Sequence, residues 1–214
     1  MTIIIFTYNR KEMLQRLLDE CVGQGEIFVL DDGSEYDPAP FDADCLYIRS
    51  EHGGKRWFYQ KWRMAFEIAQ KATSEDVLFL ADDMEQIDFD RLYTGKSIHV
   101  QHLLNTGRTK EWTRIEPKQM EWNGESYHKV GFVDCAYKTN KATLSKIGWY
   151  QPAPPVHWFA SDKISSGVGY TQSRLFVERG VPMYLPNVTI AHHGDHESQM
   201  HPELRKTQPL CTLP

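Results

Sequence analysis

Apolar and polar positions alternate in blocks along the first part of the chain. Ile3-Ile4-Ile5-Phe6 is a short, β-branched apolar run of the kind that fills a strand buried on both faces, and it ends in the polar group Thr7-Tyr8-Asn9-Arg10. Met13, Leu14, Leu17, Leu18, Cys21 and Val22 then recur at helical spacing until Gly23 and Gly25 stop the pattern. Asn9 followed by Glu12 has the form of a capping box at the start of that helix. Ile27-Phe28-Val29-Leu30 predicts a second buried strand running into Asp31-Asp32-Gly33-Ser34, so the chain opens as a β-α-β unit, for which a right-handed crossover is expected. A third strand is predicted at Leu46-Tyr47-Ile48. Gly53-Gly54 then breaks the chain before a second helix with Phe58, Trp62, Ala65, Ile68, Ala69 and Ala72 on one side. Val77-Leu78-Phe79-Leu80-Ala81 predicts a fourth, fully buried strand ending at Asp82-Asp83-Met84-Glu85.

Beyond about residue 90 the rhythm loosens. Strand-like pieces run from Ile98 to Leu104 and from Val130 to Tyr137, a helix is expected over Lys141 to Ile147, and Pro152, Pro154 and Pro155 crowd a loop. A further helix over Gln172 to Glu178 stops at Gly180, and Met183-Tyr184-Leu185 resumes an extended run toward a histidine-rich tail. Three predicted strand ends therefore carry polar clusters: Thr7 to Arg10, Asp31 to Ser34, and Asp82 to Glu85. In open α/β sheets ligands bind beyond the carboxyl ends of the strands, so these clusters are expected to converge on one crevice.

Composition narrows the setting. The 214 residues suit one domain, and 41% hydrophobic with 25% charged residues is a globular balance that excludes disorder or a coiled coil. The net charge of -5 gives no global attraction for nucleic acid. Cys21, Cys45, Cys135 and Cys211 form no C-x-x-C pair, so reduced thiols are expected, and no apolar run reaches the roughly 18 residues of a membrane span. A cytoplasmic protein is the expectation from these features.

The order of motifs excludes the commoner nucleotide folds. No G-x-x-x-x-G-K-[ST] is present, and neither Gly23-Gln24-Gly25 nor Gly167-Val168-Gly169 completes G-x-G-x-x-G. Carboxylates rather than glycines at the strand ends suit a divalent cation held against a diphosphate, because hard cations prefer carboxylate and phosphate oxygens.

Taken in order, Thr7-Tyr8-Asn9-Arg10, Asp31-Asp32-Gly33-Ser34, the Gly53-Gly54 turn before a helix, and Leu80-Ala81-Asp82-Asp83 resemble the GT-A fold glycosyltransferases of the family 2 type. The resemblance covers about the first 90 residues closely and the rest by general layout. It implies an α/β fold with a mainly parallel central sheet flanked by helices. Residues 1–90 would bind the nucleotide sugar and residues 91–214 would bind the acceptor. It further implies a donor whose base and ribose lie against Thr7, Tyr8, Arg10 and one of Asp31 or Asp32, with Asp82 near the ribose or sugar and Asp83 on Mn2+ or Mg2+. Ala81 stands where many relatives carry the first acid of a D-x-D element, unless Asp83-Met84-Glu85 serves as D-x-E.

In the second half, Ile147-Gly148-Trp149-Tyr150 is similar to the turn preceding the family's acidic catalytic segment, and Ser161-Asp162 stands in that segment's place. Asp162 is thereby the candidate general base for an inverting transfer to an acceptor hydroxyl. The segment from His192 to His201 holds four of the nine histidines; His193 is the candidate metal ligand, with His192, His196 and Arg205 as phosphate neighbours.

Two stretches interleave basic and aromatic residues. In Lys55 to Arg63, Phe58 and Trp62 are read as core, Lys55 is the candidate for the donor's phosphates, and Arg56 and Lys61 are read as solvated or phosphate-facing. Thr106 to Trp122, with Arg108, Lys110, Trp112, Arg114 and Lys118, is the candidate acceptor surface. The implied acceptors are a hydroxymethylated pyrimidine in DNA or a glycan or protein hydroxyl. A sugar-phosphate nucleotidyltransferase and a non-catalytic nucleotide-sugar-binding protein are the rival readings.

Overall fold

The structure, a computed structural model, describes residues 1–37, 41, 44–104, 115–122, 124–133, 136–150 and 168–194; of residues 54–57, 115–120, 168 and 170 it describes the backbone alone. The strands are β1 (Thr2–Thr7), β2 (Glu26–Asp31), β3 (Leu46–Arg49), β4 (Asp76–Ala81), β5 (Met84–Glu85), β6 (Val100–His102), β7 (Ile115–Trp122), β8 (Glu125–Val130), β9 (Tyr137–Asn140), β10 (Met183–Pro186) and β11 (His192–His193). The helices are α1 (Lys11–Cys21), α2 (Gly54–Lys71), α3 (Lys141–Lys146) and α4 (Val168–Glu178). Among the described residues one sheet runs β3-β2-β1-β4-β9-β6-β10-β8-β7, and β11 pairs separately with β5.

The block β3-β2-β1-β4 is parallel, in register from Thr2 opposite Glu26 and Val77. β9 then runs antiparallel to both β4 and β6, β10 is parallel to β6, and β8 and β7 close the far edge antiparallel. The chain builds outward to one side of β1 with β2 and β3, and returns to the other side with β4. The order therefore reverses between β1 and β4, which is where open α/β sheets place their ligands.

The apolar runs divide by parity, as successive side chains of a strand must. Ile3, Ile5, Ile27, Val29, Leu78 and Leu80 pack toward α1, through Leu14, Leu17, Leu18 and Cys21. Ile4, Phe6, Leu30, Val77 and Phe79 pack toward α2, through Tyr59, Trp62, Ala65, Phe66 and Ala69. Trp62 is fully buried, its ring 4.6 Å from Phe6, 5.1 Å from Phe79 and 5.9 Å from Tyr137. Both faces of the parallel block are thus covered, which is why its strands read as unbroken hydrophobic runs.

Three expectations are corrected. Asn9 does not cap α1: the N-cap is Arg10, with no side-chain cap bond, and Asn9 sits at φ 52° with its Oδ1 accepting from the Glu35 amide at 2.7 Å. The local capping signature loses to a bond across the sheet. The strand-like stretch Val130 to Tyr137 belongs to two different strands, since β8 ends at Val130 and β9 begins at Tyr137. Lys61 is neither solvated nor part of a basic stripe; it is 4% exposed on the buried side of α2.

The turn after α3 shows why Ile147-Gly148-Trp149 takes its form. Gly148 at φ 72° lets its amide donate to Ser145 and the Trp149 amide donate to Leu144, a Schellman closure that returns Trp149 to the core beside Leu144.

Candidate active site

The carboxyl ends of β1, β2 and β4 are tied together by their own backbone. The Asp82 amide donates to Phe6 O at 2.9 Å, the Asp32 amide to Thr7 O at 3.0 Å, and the Ser50 amide to Asp31 O at 3.1 Å. The Asn9 amide donates to Ser34 Oγ at 2.8 Å. The three polar clusters therefore meet in one crevice.

Asp82 lies at its centre. Its Oδ2 accepts from Thr7 Oγ1 at 2.8 Å and the Tyr8 amide at 3.2 Å, and its Oδ1 faces Arg10 Nη1 at 2.9 Å. The same guanidinium nitrogen is 3.1 Å from Asp83 Oδ2. Burial pushes the Asp82 carboxyl up to about 6, against the pull of the Arg10 charge and the Thr7 hydroxyl and with the push of Asp83. Arg10 is thus the resident counter-charge of an enclosed acid pair.

Asp31 and Asp32 have different surroundings. Asp31 is fully buried: its Oδ1 accepts from the Ser34 amide at 3.0 Å and hydroxyl at 2.5 Å, and its Oδ2 from Tyr47 Oη at 2.6 Å and Arg49 Nε at 2.8 Å. Burial works to raise its pKa, and the bonds from Ser34, Tyr47 and Arg49 overcome this and hold it below the usual carboxylate value. A carboxylate so engaged shapes the β2 turn from within the protein. Asp32 lies toward the crevice. Its Oδ1 accepts from the Gly53 amide at 3.1 Å and from Lys61 Nζ at 2.9 Å, and its Oδ2 is 3.1 Å from His52 Nδ1. Lys61 also donates to Ser50 Oγ.

Gly33 makes this approach of chains feasible. At φ 78° a Cβ there would lie 2.5 Å from the His52 amide nitrogen and 2.9 Å from Ser50 O, so a larger residue would drive the loop after β3 off the site.

The two-stranded ribbon completes one wall. Pairing of β11 with β5 sets His193 opposite Met84, the Gly194 amide donates to Asp83 O at 2.8 Å, and His193 Nδ1 comes within 3.6 Å of Asp83 Oδ1. The two residues expected to share a cation are therefore neighbours in space. No group of three or more His, Cys, Asp or Glu among the described residues is arranged to hold a metal ion. The cleft between Arg16, Asp83, Glu85 and Gly194 has a volume of about 10 Å³, about the space of one water. A larger cleft of about 320 Å³, lined by Lys129, Val177, Pro182 and Tyr184 among others, shares no residue with the site.

Thr7, Tyr8, Arg10, Asp32, Asp82, Asp83 and His193 are thus brought together, with Asp31 immediately behind. Lys55 starts α2, and its side chain is outside what is described. Asp162, His196, Arg205, Arg108, Lys110, Trp112 and Arg114 lie outside the described residues, as does the Lys118 side chain. Trp122 packs edge-on to Tyr93 at 4.3 Å and is half-buried. His52, which no sequence pattern singled out, and Lys61, read as solvated or phosphate-facing, both lie against Asp32. Lys61 carried a signal: it falls one turn before Ala65 on the apolar side of α2, where a lysine must find a buried partner.

A parallel block with acids at its switch point, continued by a mixed second half, is the GT-A or nucleotide-diphospho-sugar transferase fold. Residues 2–94 match the protein family Glycosyl transferase family 2, and over this part the chain is family 2-like, as its motifs indicated. No curated protein sequence matches the chain. Among solved structures it is similar to a CMP:2-keto-3-deoxy-manno-octonic acid synthetase complexed with CTP, at 13% identity and a TM-score of 0.52, over 90% of this chain and 91% of that one. It also aligns with galactosyltransferase LgtC in complex with donor and acceptor sugar analogs, at 10% identity and a TM-score of 0.41, over 86% of this chain and 73% of that one. The likeness to the synthetase, at 13% identity, concerns the fold alone. Among the described residues no helix is long and apolar enough to cross a membrane.

Proposed function

We propose that the chain is a glycosyltransferase that moves a sugar from a nucleoside diphosphate sugar to an acceptor hydroxyl. The observation that carries this reading is the convergence of Thr7, Tyr8, Arg10, Asp32, Asp82 and Asp83 on the β1/β4 switch point, within the segment that matches family 2. Tyr8 offers an aromatic face for a base, Asp32 an acceptor for a base or ribose donor, and Asp82 an enclosed carboxylate near the ribose or sugar. Lys55 at the start of α2 is assigned to the donor's phosphates.

Asp83 and His193 are the residues that would hold Mn2+ or Mg2+. One carboxylate and one imidazole are a small donor set, of a chemistry that would suit such a cation. When bound, the cation would supply charge stabilisation for the departing diphosphate. Arg10, which faces both Asp82 and Asp83, balances the acid pair as ligands come and go. Transfer with inversion requires a base on the acceptor side, and Asp162 is assigned that role.

The acceptor is a hydroxyl compound. A hydroxymethylated pyrimidine in DNA drew on two basic and aromatic stretches. In the first of these, Trp62 is spent on the core and Lys61 on Asp32. Glycan and protein hydroxyls therefore stand level with DNA as acceptors to be assayed.

The test is a thermal-shift panel of UDP, GDP, CDP and ADP and their sugar conjugates, with and without Mn2+, followed by transfer assays on glycan, protein and hydroxymethylated DNA. A ligand at about 100 times its dissociation constant adds roughly 2.7 kcal/mol, a rise of about 5–10 °C for a chain of this size. Metal-dependent stabilisation by one nucleotide, with turnover that Asp162→Asn abolishes while binding persists, is expected. Pyrophosphate release from CTP and a free sugar acid, without glycosyl transfer, would instead assign a nucleotidyltransferase. Stabilisation without any turnover would assign a binding protein.

A further inference from the structure

The Tyr8 ring is already covered. The His52 imidazole lies flat on it, with ring centroids 4.1 Å apart and planes 15° from parallel. His52 Nδ1 is 2.9 Å from the Asp32 carbonyl oxygen and 3.1 Å from Asp32 Oδ2. Both are acceptors, so Nδ1 carries the hydrogen and donates to them. A planar heterocycle stacked on Tyr8 and giving a ring N–H to Asp32 is the set of contacts a nucleobase would make there.

Asp32 is held by further partners, whereas the imidazole is half-exposed. Asp32 is anchored through Oδ1 by the Gly53 amide and by Lys61, whose side chain is 5% exposed. His52 is 47% exposed at its side chain and lies between β3 and α2, in a segment with no regular structure. Rotation about its side-chain bonds would uncover Tyr8 and release Asp32 Oδ2 without moving any strand.

We propose that His52 is a built-in occupant of the nucleobase seat, and that the donor binds by exchanging its base for the imidazole. The proposal rests on the glycosyltransferase reading above, since it needs a nucleotide at this place. It also sets the class of base. The exchange conserves the bond to Asp32 when the incoming base presents a ring N–H, as uracil, thymine and guanine do and cytosine and adenine do not. An imidazole that closes the seat about 70–90% of the time weakens the apparent affinity about three- to tenfold.

The test compares wild type, His52→Ala and His52→Gln by calorimetric titration with UDP, GDP, CDP and ADP, and follows the His52 ring protons by NMR. In the free protein these protons are shifted upfield by the Tyr8 ring, and a saturating nucleotide returns them to ordinary positions. His52→Ala binds the same nucleotide about three to ten times more tightly, with His52→Gln between the two. A wild type that binds nucleotide while His52→Ala binds it equally or more weakly overturns the exchange and leaves the glycosyltransferase reading standing. Unshifted ring protons in the free protein also overturn it. If neither wild type nor His52→Ala binds any nucleotide, the donor reading fails and this proposal fails with it.

Discussion

Replacing Asp31 with Asn changes one atom at the hub of the β2 turn. In the wild type the Oδ1 position receives the Ser34 amide and hydroxyl, and the Oδ2 position receives Tyr47 Oη and Arg49 Nε. An asparagine has one oxygen and one NH2. Its NH2 would face the Ser34 amide in one orientation and Arg49 Nε in the other, so a donor meets a donor whichever way it turns. The hydroxyls of Ser34 and Tyr47 can reorient to accept; the two N–H groups cannot. One unsatisfied buried donor costs about 1–3 kcal/mol, and with charge assistance lost at the remaining bonds, discounted for the part-exposed Arg49, the expected loss is about 2–3 kcal/mol. At about 2–4 °C per kcal/mol for a chain of this length, the melting temperature falls by about 4–12 °C at pH 7. The sign of the pH dependence is fixed by the lowered pKa of Asp31. The unfolded state takes up its proton first, so the contribution is fully present above about pH 4 and fades as pH falls through the lower folded-state value. Calorimetric melts of both proteins between pH 3 and pH 7 are the assay. Equal melting temperatures at pH 7, or a difference that is undiminished at the acid end, would refute the argument that the carboxylate's charge organises this turn.

His99 provides a second pH signature, because burial pushes its pKa down to about 4 and the ring enters the folded state neutral. Stability should fall by about 3 kcal/mol as pH drops from about 6.5 to about 4, and chemical denaturation of His99→Phe should show that slope flattened. Trp62→Ala removes a fully buried ring from the α2 face of the sheet and should cost about 3–5 kcal/mol by the same denaturation measurement, with Trp62→Phe costing much less. Arg10→Gln leaves Asp82 and Asp83 enclosed without their shared counter-charge, a loss of about 3 kcal/mol. Mn2+ should then raise the melting temperature of this variant more than that of wild type; an equal rise would separate Arg10 from the cation position. Gly33→Ala should lower the melting temperature in a calorimetric scan, because its Cβ would intrude on the backbone of the loop that carries His52.

The parallel half was legible because each of its strands is an unbroken apolar run between polar groups. Burial on both faces demands that pattern, and few other structures do. That the acids at 31, 32, 82 and 83 would be neighbours was legible for the related reason that polar clusters at the ends of three adjacent parallel strands have to meet. What was not legible was decided by contacts distant in sequence. Asn9 carried a helix-cap signature, yet its side chain is spent on the Glu35 amide across the sheet. The ribbon of β5 and β11 is two residues on each side, too short to carry any period. The hairpin of β7 and β8 had a readable sign in the Asn-Gly pair at 123 and 124, but Pro117 and the mixed polarity of β7 obscured the alternation that would have used it. His52 follows no pattern at all, because its place is set by the closeness of Gly33 and by the ring of Tyr8.

The pairing of His192 and His193 with Glu85 and Met84 bears on how the molecule comes into being on the ribosome. The segment that carries the recognisable motifs emerges first, and its four parallel strands can pair as soon as Ala81 has been made. The imidazole beside Asp83 arrives only after β6 to β10 have been threaded into the same sheet. A nascent chain can therefore display the motifs, and even close the ion pair of Arg10 with Asp82, while the wall that faces Asp83 is still missing. A fragment stopped before residue 192 would have the motifs without the ribbon that stands beside Asp83.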